Sequence, residues 1–180
     1  MEKNLTQIAL FAALIAVLGL VPKLDLAAGV PITAQSLGVM LCGTVLGARK
    51  GALAVLLFLF VTIAGLPLLS GGRGGFALLA GPSVGYILGF PVAAYVTGAV
   101  TGLWRVNLAV SATLGAFLGG FVVLNMIGIL GMSVMLDKTL PEAALLALPF
   151  AIGDTIKAVI AGLVTQAIAS ARPEAILSRA

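Results

Sequence analysis

Asp154 and Lys157 stand three residues apart in PFAIGDTIKAV, residues 149–159, within a run that is apolar on either side. Residues i and i+3 share a helix face, so the spacing sets a carboxylate beside an ammonium in an apolar segment. An ionisable side chain at membrane depth is costly unless paired or hydrated, and marks a functional site by default. The competing reading is a pair that merely neutralises itself. A second group with chemistry to offer is Arg73, held between two glycine pairs in LLSGGRGGFALLAGPSVGY, residues 68–86. Those glycines either let a loop bend close over a ligand or permit a turn at a membrane edge. A bare turn does not require four glycines and a cation. An acceptor such as Asp154 and donors such as Lys157 and Arg73 suit a ligand carrying N–H groups, a carbonyl and an anionic tail.

Other chemistries are excluded. The chain has no histidine, and Cys42 is its single cysteine; zinc, copper and haem sites rest on those ligands. No metal is expected, and no disulfide can form within the chain. GGRGG is not a nucleotide loop, because the GxxxxGK[ST] spacing is missing there and throughout. Without a nucleophile–base pairing or a metal cluster, a membrane enzyme is the weakest reading. The expectation is a binding protein with no catalysis and no cofactor. Net charge +4 does not signal nucleic acid, since the cations are scattered singly.

The elements that must position these groups belong in a lipid bilayer. Hydrophobic residues make up 61% and charged residues 9% of 180 positions, mean hydropathy is +1.23, and soluble domains carry about 25% charge. Charges and prolines divide the chain into runs on the scale of the ~20 apolar residues that a bilayer core takes. The reading is an all-α integral membrane protein, a single transmembrane substrate-binding domain over 1–180. Its six transmembrane helices fall near 4–22, 33–48, 51–66, 82–103, 108–136 and from between Pro141 and Pro149 to about Ala171. The first run resembles a signal peptide in its charged start, but further spans follow and no small-residue cleavage site stands out, so it is read as a span. Arg49, Lys50 and Gly51 are expected to turn the chain between the second and third helices. Residues 74–81 are expected to form a short helical or re-entrant piece, too short to span.

Six spans put both termini on one side. With the termini cytoplasmic, Lys3, Arg49, Lys50, Arg105, Arg172 and Arg179 fall inside, while Lys23, Arg73 and Lys138 fall outside with Asp25, Asp137 and Glu142. That bias satisfies the positive-inside rule. Arg73 then faces the exterior, and a rise of about 1.5 Å per residue puts Asp154 ~6 Å and Lys157 ~10 Å inward from Phe150, in the outer leaflet. Gln35 and Tyr86, in the first outer turns of the second and fourth helices, join them. The inner half offers nothing comparable. Asn125, polar at mid-helix depth, either lines the cavity or bonds a neighbouring helix. A mostly apolar site with a few converging polar groups has the character of a small-molecule pocket.

Glycines at four-residue spacing, Gly43–Gly47–Gly51, Gly81–Gly85–Gly89, Gly98–Gly102 and Gly115–Gly119, predict closely packed helices. Alanines in the first helix repeat the spacing at Ala9 and Ala13 and at Ala12 and Ala16. They read either as internal packing or as an exposed docking stripe for another membrane subunit. No repeat between halves supports an inverted-repeat carrier.

Three segments together, PITAQSLGVMLCG (31–43), GLPLLSGGRGGFALLAGPSVGYILGFP (65–91) and PFAIGDTIKAVIAG (149–162), resemble the BioY family, the biotin-specific substrate-binding (S) components of energy-coupling factor (ECF) transporters. The similarity runs in order from the first helix to the last. What it implies is a six-helix S component of a prokaryotic plasma membrane that captures biotin from outside. Such a component works with a transmembrane coupling (T) subunit and two cytoplasmic ATPase subunits. The resemblance further implies that Asp154 and Lys157 contact the ureido ring and that Arg73 suits the valerate carboxylate. Gln35 and Tyr86 carry over by motif position, and Ala9, Ala12, Ala13 and Ala16 look like the stripe that docks the coupling subunit. NMIGILGMS, around Asn125, departs from the family, in which an aromatic residue is common in that region. From the residues alone, two rivals stay open: an autonomous ion-coupled carrier with Asp154 as the coupling carboxylate, and an S component for another vitamin. The lack of histidine argues against nickel and cobalt members.

Overall fold

The computed structural model describes residues 2–26, 29–104 and 107–179. Six helices carry the fold: α1 Glu2–Leu18, α2 Gln35–Leu46, α3 Ala48–Ile63, α4 Val84–Leu103, α5 Leu108–Met135 and α6 Leu140–Ala171. A 3-10 turn at Phe76–Ala80 occupies the interval where a short helical piece was expected. Among the described residues the extended pairings are two single bridges, Leu24 with Ile32 and Leu69 with Arg73. Three helices, α4, α5 and α6, are long and apolar enough to cross a membrane; α1 and α2 are apolar and shorter.

Bulk and burial are distributed as lipid demands. Ala54, Ala93, Ala94, Ala112, Ala116 and Ala161 are fully enclosed, while Phe60, Leu103, Val134, Ile152 and Leu163 face outward. Between helices in lipid there is no apolar area to hide from water, so small residues that let backbones approach do the packing. At Gly98 an added Cβ would fall on the backbone of Gly47 and Ala48, so α4 crosses the α2–α3 junction chain against chain. Gly43, Gly85 and Gly115 lie as close to carbonyl or hydroxyl oxygens of neighbouring helices, as the four-residue spacing predicts. Gly81 departs from the pattern: a Cβ there meets nothing within 4 Å, because residue 81 belongs to the turn ahead of α4.

Several helix ends differ from expectation. α1 stops at Leu18, and the turns Leu20 N–H to Val17 O and Val21 N–H to Leu18 O unwind it before Pro22. α2 and α3 meet at Gly47, with φ 81°, a left-handed conformation that glycine adopts without strain; Arg49 and Lys50 therefore lie in the first turn of α3, not in the connecting turn. α3 ends at Ile63. α6 begins at Leu140, ahead of both prolines, because Thr139 and Glu142 form a reciprocal capping box. Pro141 sits in the first turn, where no intrahelical N–H is lost, and Pro149 is carried within the helix.

Both chain ends gather at one end of the bundle. Lys50 Nζ donates to Asn4 Oδ1 at 2.9 Å. Leu177 and Ser178 N–H both reach Val45 O, at 2.7 and 3.1 Å, and Arg179 Nη2 donates to Trp104 O at 2.9 Å and to Ser111 Oγ. The α1–α2 and α3–α4 loops, with Lys23, Asp25 and Arg73, occupy the opposite end. Arg105 and the side chain of Lys3, assigned above to the inner side, lie outside the described residues.

Candidate ligand-binding site

At that loop end, α2, α4, α5 and α6 surround a small cavity with about 50 Å³ of free space. Val30, Leu69, Ile87, Phe90, Leu124 and Phe150 make its apolar walls. Polar side chains reach it from four directions: Gln35 and Ser36 on α2, Arg73 on the α3–α4 loop, Tyr86 on α4, and Asp154 and Lys157 on α6.

Asp154 is 3% exposed. Its Oδ1 accepts from Lys157 Nζ at 3.0 Å and from Ser36 Oγ at 3.3 Å, and Lys157 Nζ also donates to Ser36 Oγ at 2.9 Å. The pair foreseen from the i, i+3 spacing is therefore a triangle, with α2 supplying the third corner. Sequence reasoning did not single out Ser36; its one signal was its place beside Gln35 in the first turn of α2. A buried carboxylate is tolerable only when paired and hydrogen-bonded, and this one is both. Unlike a pair that only neutralises itself between helices, it borders an open cavity.

Behind the triangle stands Asn125. Its Nδ2 donates to Asp154 Oδ2 at 3.4 Å and to Phe121 O at 2.9 Å, and its Oδ1 accepts from Tyr86 O–H at 3.2 Å. Of the two readings left open, helix bonding describes it: Asn125 ties α4, α5 and α6 together and orients Tyr86 and Asp154 from outside the cavity wall. The element that delivers it was not foreseen. Residues Phe117–Val123 of α5 form a π-helical stretch, whose wider turn resets the register of the last turns of the helix; such bulges are frequent at functional sites. The Tyr86 ring rests against Phe150, centroids 5.4 Å apart, and on Gly128, where any Cβ would enter the ring.

Arg73 is half-buried, held in a small hairpin by its bridge to Leu69. Its Nε donates to Ser70 O at 3.3 Å, and its terminal nitrogens have no partner among the described residues. Gln35 lines the cavity as expected and is also tied to backbone. Its Nε2 donates to Ile15 O at 3.1 Å and Leu68 O at 3.0 Å, and its Oε1 accepts from Ser70 N–H at 3.0 Å, so both amide hydrogens are already committed to backbone.

The half of the bundle toward the chain termini, expected to offer nothing comparable, is not devoid of polar groups. Thr44, Thr97, Thr101, Ser111 and Thr165 are buried there, but Thr165 bonds Thr44 at 2.8 Å and Thr101 closes on Thr97 O at 2.7 Å, as side chains satisfying helices do. The alanine stripe divides. Ala12 is buried and Ala16 packs against the core, because that face of α1 lies on α2 and α3; Ala9 and Ala13 alone point outward.

Known proteins share much of this sequence and its fold. The chain is 49% identical to the biotin transporter BioY of Rhodobacter capsulatus, over 99% of this chain and 100% of that one. It is 44% identical to the biotin transporter BioY of Rhizobium etli over 92% of each. Its fold matches the crystal structure of the S-component for biotin from an ECF-type ABC transporter with a TM-score of 0.87 and 28% identity, covering 94% of this chain and 92% of that one. The family model for BioY spans residues 2–174, from the start of α1 past the end of α6, and the protein accordingly belongs to the BioY family.

Proposed function

We propose that the chain is a biotin-binding S component of an ECF-type transporter, a single multi-pass domain that captures biotin from outside a prokaryotic plasma membrane. Six spans with both termini cytoplasmic put the cavity in the outer half of the bundle. The observation that carries the reading is the Asp154–Lys157–Ser36 triangle on the wall of an apolar cavity whose bordering loop holds Arg73. Biotin has the complementary layout: a cyclic urea at one end, an apolar bicycle and chain between, and a carboxylate at the other end. Asp154 accepts from the ureido N–H groups, Lys157 donates toward the ureido carbonyl with Ser36 bracing both charged groups, and the terminal nitrogens of Arg73 meet the carboxylate. Phe150, Tyr86, Ile87 and Leu69 cover the apolar middle, where burial contributes about 25 cal/mol per Å².

No bond is made or broken in this role, and no cofactor takes part. Energy for release comes from outside the chain, from a coupling subunit and two ATPases. Ala9 and Ala13, exposed on α1, offer the coupling subunit a smooth face on which a partner helix can lie close. Reconstitution tests the division of labour: biotin accumulates in liposomes only when the coupling and ATPase subunits and ATP are present. Sustained accumulation by the chain alone under a proton gradient would replace this reading with an ion-coupled carrier.

A further inference from the structure

We propose that Gln35 and Gly19 form a clasp that positions Arg73, so that Gln35 is a positioning residue for ligand capture and not a ligand contact. The hairpin closes through Leu69 N–H to Arg73 O at 3.0 Å and Arg73 N–H to Leu69 O at 3.2 Å. Arg73 Nε–H donates to Ser70 O at 3.3 Å, which ties the direction of the guanidinium to Ser70. Ser70 N–H donates in turn to Gln35 Oε1 at 3.0 Å, while the Gln35 amide hydrogens go to Leu68 O and Ile15 O. One side chain, 1% exposed, thereby joins the first turn of α2, the hairpin and the last turn of α1. Only an amide does this, because a carboxylate would present acceptors to two carbonyl oxygens.

Gly19 is the other half of the clasp. A Cβ there would lie 2.5 Å from Leu68 O and 2.9 Å from Gln35 Nε2, so the hairpin sits against α1 only because residue 19 has no side chain. Gly19 is not among the left-handed glycines, and Gly19→Ala acts by displacement alone. Holding Arg73 in place before the ligand arrives removes an ordering cost from binding. It also joins the loop beside the cavity to α1, the helix that exposes Ala9 and Ala13.

The second of two measurements rests on the biotin reading; the first does not. In hydrogen–deuterium exchange on the purified chain without ligand, Gly19→Ala and Gln35→Glu should each speed exchange of the Leu69, Ser70 and Arg73 amides about tenfold, the scale of one lost hydrogen bond, with α4 unchanged. In titrations with radiolabelled biotin, Arg73→Ala should lower affinity about 10- to 100-fold in the native background but less than about threefold beside Gly19→Ala or Gln35→Glu, the mark of coupled residues. A role confined to stability would leave the full Arg73→Ala effect in both backgrounds. Either that additivity, or unchanged hairpin exchange in a folded variant, overturns the clasp; if one variant does not fold, the other carries the same test. Native chain that ignores biotin while its hairpin exchange responds as expected would sink the biotin reading and support the clasp.

Discussion

At the Asp154 carboxylate the chain solves a solvation problem with groups from three helices: Lys157 on α6, Ser36 on α2 and Asn125 on α5. The acid and the ammonium could be read from sequence, because their spacing is local and a helix makes it a face. Ser36 could not, since its partner lies 118 positions away and a serine in a first turn has many uses. The same applies to Gln35, whose polarity was visible and whose partners were not. The contributions are separable. Lys157→Met strands a buried carboxylate and should cost up to about 3–5 kcal/mol of stability, read as a fall in melting temperature together with loss of biotin binding. Ser36→Ala removes one neutral corner and should weaken biotin binding by about 0.5–1.5 kcal/mol with a smaller change in melting. Equal effects of the two substitutions would contradict the assigned geometry.

Helix identity followed from apolar run length, whereas helix ends followed from capping and glycine geometry that hydropathy does not register. Gly47 turns the chain two residues ahead of the basic pair that looked like a turn, and the Thr139–Glu142 capping box starts α6 before prolines that looked like a start. The π stretch of α5 had no periodic signature, although it delivers Asn125 to the site. One glycine of this region gives an element-scale test. Gly128 faces the Tyr86 ring across the α4–α5 contact, so Gly128→Ala should overpack that contact at a cost of about 1–3 kcal/mol. The expected readouts are a lower melting temperature and weaker biotin binding, because Tyr86 is displaced from both Asn125 and Phe150. Unaltered biotin affinity in a folded Gly128→Ala chain would show that the Tyr86 wall does not matter to the ligand.

Across the whole molecule, bulky apolar side chains such as Phe60 and Val134 cover the outside while others such as Phe58 and Met132 fill the core, glycines sit where helices cross, the loops beside the cavity gather at one end and the chain termini at the other. Composition made the membrane legible and the motifs made the family legible; the split of the alanine stripe needed the packing of α1, since helical spacing alone puts Ala9–Ala13 and Ala12–Ala16 on neighbouring faces. That split has a consequence for assembly. Ala13→Trp, on the exposed face, should leave biotin titrations unchanged yet block copurification with the coupling subunit and ATP-driven uptake, whereas Ala12→Trp, inside the bundle, should destabilise the chain itself. A copurifying, transporting Ala13→Trp chain would move the docking face elsewhere. The molecule as a whole is read as a container built around one buried acid. Titrating radiolabelled biotin against the purified native chain and its Asp154→Asn variant tests this: saturable one-to-one binding is expected, weakened by about 1.5–3 kcal/mol in the variant. A folded native chain that does not bind biotin, or a folded variant that binds it equally well, would contradict it.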